Sequence, residues 1–197
     1  MREMIQMVVV LTVLSCVSGG LLAAIKTNTE ERIAYQQLKF VKGPAILAIL
    51  EGSSNNPITD RFTLKDGEVE RSFFVGVFDG QPNTVAFETS GKGYGGDVGL
   101  MVGVNVAEKT LVGIGVTTHA ETPGVGARAQ TDAAFVAQFN GQPFEGEFKV
   151  KPDGGQVDAL SGATITSRAV ANAVTDAVGI YDRLESQLAE QLKSFPK

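Results

Sequence analysis

Between residues 158 and 167 the chain gathers hydroxyls around a tight turn: Asp158-Ala-Leu-Ser161-Gly162-Ala163-Thr164-Ile-Thr166-Ser167. Gly154-Gly155 opens the loop before it, and an apolar-periodic run from Ala169 to Leu192 follows. That periodicity predicts a helix from about 167 to 193, with Thr166 or Ser167 as its N-cap. A helix start carries free N–H groups and the positive end of the helix dipole, which together seat a phosphate. Thr164 would place a hydroxyl beside that seat. An ordinary capped turn uses the same residue types, so Ser-Gly-Ala-Thr alone does not decide between the two.

A second polar cluster lies in Thr117-Thr-His119-Ala-Glu121-Thr122-Pro-Gly124-Val-Gly126, after an apolar β-rich run. His119, Glu121 and Thr122 would stand at a strand end, with Pro123-Gly124 turning the chain. Glycines there let backbone amides approach a ligand. A third segment, Gly91-Lys-Gly-Tyr94-Gly-Gly96, resembles a nucleotide loop only superficially. It lacks the Lys-Ser/Thr of a P-loop, the following helix and the βαβ setting of a dinucleotide fold. No Gly-x-Ser-x-Gly elbow accompanies His119, so a Ser-His-Asp hydrolase is excluded.

Composition narrows the chemistry further. The net charge of −5 and the lack of a Lys/Arg cluster argue against nucleic-acid binding. A single cysteine, Cys16, excludes an internal disulfide and a cysteine-ligated iron–sulfur cluster; a single histidine argues against an imidazole metal site. Redox work would have to come from a bound organic cofactor.

The Asp158-x-x-Ser-Gly-Ala-Thr164 pattern resembles the flavinylation motif of the FMN-binding domain family. His119-x-Glu-Thr-Pro-Gly-x-Gly126 is similar to that family's second motif, and Gly93-Tyr94-x-Gly96 to its Gly-Tyr-x-Gly segment. The resemblance implies FMN esterified through its phosphate to Thr164 by a flavin transferase. It implies that Ser161, Gly162 and Ala163 shape the turn, and that Asp158 belongs to what the transferase recognises. Tyr94 would lie near the flavin or a partner. His119, Glu121, Thr122, Gly124 and neighbouring amides would surround the cofactor and tune it.

Residues 4–25 carry no charge. As a helix at about 1.5 Å per residue this run reaches about 33 Å, the depth of a bilayer's hydrocarbon core. A cleaved signal peptide, or a lipoprotein box at Val13-Leu-Ser-Cys16, competes with this reading. The apolar run continues past Cys16 to Ile25, which favours an uncleaved anchor. We therefore expect a membrane anchor over 1–27 and an FMN-binding domain over 28–197. Residues 27–51 read as a polar start and then a helix broken at Gly43-Pro44. Strand-like runs follow at 71–78, 84–89, 100–106 and 110–116, the last two joined by a turn at Ala107-Glu-Lys109. Arg128–Phe139 reads as one short helix and Phe144–Val150 as one more strand. Helices at the ends of a strand block predict an α+β fold with an antiparallel, curved sheet packed with helices, behind one transmembrane helix.

Anchor, strand block and both motifs stand in the order of the G-subunit family of Rnf ion-translocating electron-transport complexes. Membership would imply an electron relay between reduced ferredoxin and NAD, working beside membrane and iron–sulfur or flavin subunits and not turning over substrate alone. It would place the chain in the bacterial inner membrane with its soluble domain on the periplasmic or outer side. The related C subunit of the sodium-translocating NADH:quinone reductase shares the flavinylation motif but is longer. A stand-alone membrane-anchored flavoprotein and a non-redox binding module complete the alternatives.

Overall fold

The fold is taken from a computed structural model that describes residues 1–195, Glu31 by its backbone only. Two units are distinguished, Met1–Phe40 and Val41–Lys197. The first is dominated by helix α1, Arg2–Gln37, whose apolar window has a mean hydropathy of 2.4 and no buried residue. It is long and apolar enough to cross a membrane. The helix does not stop where the uncharged run ends. Thr27, Asn28 and Thr29 satisfy their side chains on carbonyls three or four residues back, so polar residues continue it without a break.

A five-residue π-helical turn, Leu38–Lys42, leads to helix α2, Gly43–Ile49. Gly43-Pro44, expected to end a helix, starts one instead. Proline's missing N–H costs nothing in a first turn, where that donor has no helical partner.

Five strands follow: β1 Arg61–Asp66, β2 Val69–Phe78, β3 Gln81–Lys92, β4 Asp97–Asn105 and β5 Thr110–Thr118. They pair as an antiparallel meander in the order β1-β2-β3-β4-β5. Asp79-Gly80, both at positive φ, closes the β2–β3 hairpin, a backbone whose twist matches the flanking strands. Register shifts at Gly76/Val77, Gly99/Leu100 and Gly103/Val104 mark the bulges that curve the sheet.

Helix α5, Thr164–Ser194, covers one face of the sheet. Val170, Val174, Tyr181 and Leu188 join Phe73, Val85, Phe87, Leu100 and Val102 in the main core. Each buried side chain of this kind contributes on the order of 2 kcal/mol of transfer free energy. Arg183 of α5 also reaches Asp66 of β1 at 2.8 and 2.9 Å, and Arg71 of β2 closes on the same carboxylate at 3.0 Å. Helix α2 packs against β4 and β5. It comes close because Gly103, Gly113 and Gly115 have no side chains. A Cβ on Gly103 would lie 2.1 Å from Ile49 Cγ2, and one on Gly115 would lie 2.9 Å from Ala45 Cβ.

Two further expected elements differ. The single helix over 128–139 is two, α3 Arg128–Thr131 and α4 Ala133–Ala137. Asp132 between them is extended, and its side chain accepts the Phe135 N–H at 3.2 Å, an N-cap that restarts the helix. Residues 144–150 do not form a strand. This segment carries Gly146 at φ +71° and, among the described residues, makes one isolated bridge, at Val150. Its Phe148 N–H is taken by the Thr175 hydroxyl of α5 at 2.9 Å, not by a strand edge. At the sequence level its apolar residues could not reveal that a helix would supply the partner.

Candidate functional site

The hydroxyl-rich turn and the start of α5 form one compact corner. Gly162 sits at φ +77°, a left-handed conformation in which glycine avoids steric cost, and the Ala163 N–H returns to Leu160 O at 2.9 Å. The helix starts at Thr164, with Ala163 at the N-cap position and no side-chain cap. The two residues expected to cap are already inside. Ser167 Oγ donates to Ala163 O and accepts the Leu160 N–H, both at 3.0 Å, stapling the turn to the helix. Thr166 Oγ1 donates to Glu121 Oε2 at 2.5 Å. Both hydroxyls are buried, whereas Thr164 is half-buried and Ser161 exposed. With no side-chain cap, the first amides of α5 keep the anion-seating character of an open helix start.

The second loop leaves the end of β5. Its Glu121 N–H donates to His119 Nδ1 at 3.3 Å, and a turn around Gly124, at φ +71°, returns the Val125 and Ala127 N–H groups to Thr122 O. Glu121 is only 6% exposed. Its Oε1 accepts the Gly95 N–H at 2.7 Å, so one carboxylate joins the β3–β4 loop, the β5 exit loop and α5. Burial alone would push its pKa up. The Thr166 hydroxyl and the Gly95 and Tyr94 amides more than offset that and hold it below the ordinary glutamate range.

Glycines make room for this junction. A Cβ on Gly93 would stand 2.5 Å from Glu121 Oε1. One on Gly126 would stand 2.7 Å from both Glu121 Oε2 and Thr166 Oγ1. One on Gly95 would collide with Ala120 O at 2.1 Å.

A cavity of about 340 Å³ opens over the junction, a size within the range of small-molecule sites. Of the residues singled out from the sequence, Tyr94, Glu121, Thr122, Gly162, Ala163 and Thr164 line it. Ser161, His119 and Gly124 belong to the same two loops but not to its lining. Asp158 is outside the lining: it is exposed, paired with Lys151 at 2.7 Å and bonded through its backbone to Gln138.

Sequence reasoning missed Thr166 as the partner of Glu121, and Val125 and Ile165 as cavity walls. Tyr94 at 75% exposed, Ile165 at 46% and Val125 at 40% give the cavity an apolar rim. The available signal was an apolar residue inside the second motif, Val125, and another directly after Thr164, Ile165. Among the described residues no group of His, Cys, Asp and Glu could hold a metal ion. A larger groove of about 590 Å³ runs between α5 and the sheet past Arg71, Glu88, Asp97 and Arg183. Its lining touches the two motifs only through Thr118, at the start of the second cluster, so the motif-lined cavity is the better candidate. Chemically, that cavity offers one accessible hydroxyl in the first turn of α5, helix-start amides beside it, and apolar walls for a flat ring.

Comparison with known proteins is consistent with this geometry. Residues 93–179 match the FMN-binding domain family. The chain is 35% identical to the G subunit of the ion-translocating oxidoreductase complex of Vibrio cholerae, over 92% of each chain. It is 32% identical to the protein of the same name from Methanosarcina acetivorans, over 90% of this chain and 94% of the relative. Among solved structures it resembles the C subunit of the Na(+)-translocating NADH-quinone reductase of Parabacteroides distasonis. That match has a TM-score of 0.51 and 31% identity, over 59% of this chain and 63% of that one. It also resembles Shewanella oneidensis NqrC, with a TM-score of 0.51 and 25% identity, over 70% of this chain and 72% of that one.

Proposed function

We propose that this chain, which belongs to the G-subunit family of ion-translocating oxidoreductase complexes, carries its FMN as a phosphoester of Thr164. The chain is an electron-relay subunit of such a complex and binds FMN through its FMN-binding domain. The observation that carries the covalent reading is that both sequence motifs line one cavity in which Thr164 is the accessible hydroxyl of the first turn of α5.

Forming the ester joins Thr164 Oγ1 to the phosphorus of FMN. The hydroxyl proton is lost, and the bond from phosphorus to the donor's leaving group breaks. This requires an activated flavin-phosphate anhydride as donor, delivered by a separate flavin transferase. Asp158, exposed three residues ahead of Ser161, is available for that enzyme to recognise. The chain's own contribution is placement. The Gly162 turn and the Ser167 staple hold Thr164 at the helix start, whose amides and dipole favour the phosphate. Tyr94, Val125 and Ile165 offer an apolar surface to a planar ring. When bound, FMN supplies one- and two-electron redox chemistry, which the side chains of this chain lack. An ester link also removes the dissociation equilibrium that would cost an extracytoplasmic protein its cofactor.

Helix α1 fits a single-pass inner-membrane protein. In the proposed arrangement the domain after it faces the periplasmic or outer side, and the chain relays electrons between ferredoxin and NAD with the membrane, iron–sulfur and flavin subunits of the complex. A second reading, a counterpart of the C subunit of the quinone reductase, is favoured by the solved structures that share the fold. The G-subunit relatives match over a larger share of both chains, which favours the first reading. Denaturing electrophoresis with in-gel flavin fluorescence, on chain co-expressed with a flavin transferase, tests the ester. Co-purification of partner subunits separates the two complexes.

A further inference from the structure

Glu121 occupies an unusual position for a residue expected to face a cofactor. Both of its oxygens are already taken by the protein: Oε1 by the Gly95 N–H at 2.7 Å, Oε2 by the Thr166 hydroxyl at 2.5 Å. It is 6% exposed, and Gly93 and Gly126 close on it so tightly that neither could carry a Cβ without displacing it. Thr166 is 2% exposed and sits two residues beyond Thr164 in the same helical turn. The carboxylate therefore ties the first turn of α5 to two loops from the far ends of β3 and β5, and it withdraws the Thr166 hydroxyl from solvent.

We propose that Glu121 is a positioning residue. By holding Thr166 and Gly95 it fixes the rotation of the first turn of α5: both threonines of that turn border the cavity, but the Thr166 hydroxyl is bonded to the carboxylate and Thr164 keeps its own for an incoming flavin donor. Thr166 is its working partner, and both act through the placement of Thr164. The loop held by Gly95 carries Tyr94, so the same latch fixes the aromatic edge of the cavity. This inference rests on Thr164 being the flavin acceptor. A misplacement of about 1 Å at a reacting atom is enough to slow a group transfer on the order of a hundredfold, so a loosened turn is expected to show in the labelling rate before it shows in the fold.

The test uses the full chain co-expressed with a flavin transferase at limiting level, with the labelling rate read by in-gel flavin fluorescence and the site by peptide mass spectrometry. The variants are Glu121→Ala, Thr166→Val and Thr166→Ser, with Val174→Ala in the buried middle of α5 as a control for lost stability alone. Labelling of Glu121→Ala and Thr166→Val is expected to fall about tenfold or more below that of Val174→Ala when the variants are compared at equal loss of melting temperature. Thr166→Ser, which keeps the donor, is expected to label near the wild-type rate. If the latch variants and Val174→Ala fall on one line of labelling against melting temperature, or if Thr166→Ser labels no better than Thr166→Val, Glu121 is merely structural and the inference fails. An unlabelled wild type, or label on a residue other than Thr164 in the wild type, overturns the ester reading and the latch with it.

Discussion

The hydroxyl of Thr166 lies 2.5 Å from Oε2 of Glu121, a residue 45 positions earlier in the chain. This bond joins the two motifs that the sequence keeps apart, and it gives the site a defined response to acid. The pKa of Glu121 is lower in the folded protein than the ordinary glutamate value, burial being outweighed by the bonds from Thr166, Gly95 and Tyr94. A carboxyl shifted in that direction contributes stability that is present above its unfolded-state pKa, about 4.3, and is lost as pH falls through the folded value. Glu121→Gln removes the titration. The gap in melting temperature between wild type and Glu121→Gln is therefore expected to be constant near neutral pH and to shrink below about pH 4. Thermal denaturation of both proteins across that range measures it; a gap that stays constant into acid would show that Glu121 is not held ionised by these bonds.

The contact between α2 and the sheet yields a prediction of another kind. Ile49 Cγ2 fills the space where a Cβ of Gly103 would be, 2.1 Å away. Gly103→Ala must push α2 outward, and overpacking of this sort costs about 1–3 kcal/mol. Ile49→Ala alone leaves a hole and also destabilises. Because the two changes are complementary in volume, the double variant is expected to be more stable than the sum of the single losses implies. Chemical denaturation of the four proteins gives the coupling. Strict additivity would mean that α2 is not seated in the glycine slot.

Orientation in the membrane is tested separately from the flavin. Helix α1 is apolar over its first part, where no residue is buried, with Arg2 and Glu3 before the uncharged run and Lys26 and Glu30 after it, flanks that do not impose a direction. We expect residues 28–197 on the non-cytoplasmic face. Protease added to intact spheroplasts is expected to digest that domain and leave the anchor. Full protection would reverse the orientation, and a mature N-terminus at Cys16 would replace the anchor with a cleaved signal.

The strand block, its antiparallel order and the terminal helices were legible because alternation of apolar residues and turn chemistry act locally. The turn at Ala107-Glu-Lys109 was read as a hairpin from local residue types, and Lys109 takes the positive φ that such a turn needs. Elements whose partners come from far along the chain were not legible. Residues 144–150 look apolar enough for a strand, yet Thr175 of α5 supplies the bond that decides their conformation. Gly43-Pro44 reads equally as a stop or a start until the packing of α2 is known. The hydroxyl-rich turn was legible as a motif, and the assignment of its hydroxyls was not. Thr166 and Ser167 carry the residue types of caps, but Glu121 and the Leu160 amide, both out of register with any local rule, use them up. That subtraction leaves Ser161 and Thr164 as the accessible hydroxyls of the segment.

Thr164→Val keeps the side-chain shape and removes the oxygen, so it is expected to abolish covalent flavin while leaving the melting temperature within about 2–4 °C of wild type. The fold should tolerate it because the helix uses no side-chain cap at its start and Thr164 is only half-buried. Thr164→Ser keeps a hydroxyl on a freer side chain and is expected to retain part of the label. Ser161→Ala removes the other accessible hydroxyl of the loop and is expected to label like the wild type. In-gel fluorescence after denaturing electrophoresis separates covalent from bound flavin, and peptide mass spectrometry names the residue. Fluorescence that persists in Thr164→Val and vanishes in Ser161→Ala would move the acceptor into the turn. Absence of fluorescence from wild type co-expressed with an active transferase would leave the chain with FMN held only by non-covalent contacts, and the apolar rim of Tyr94, Val125 and Ile165 would then have to carry the affinity that the ester was invoked to replace.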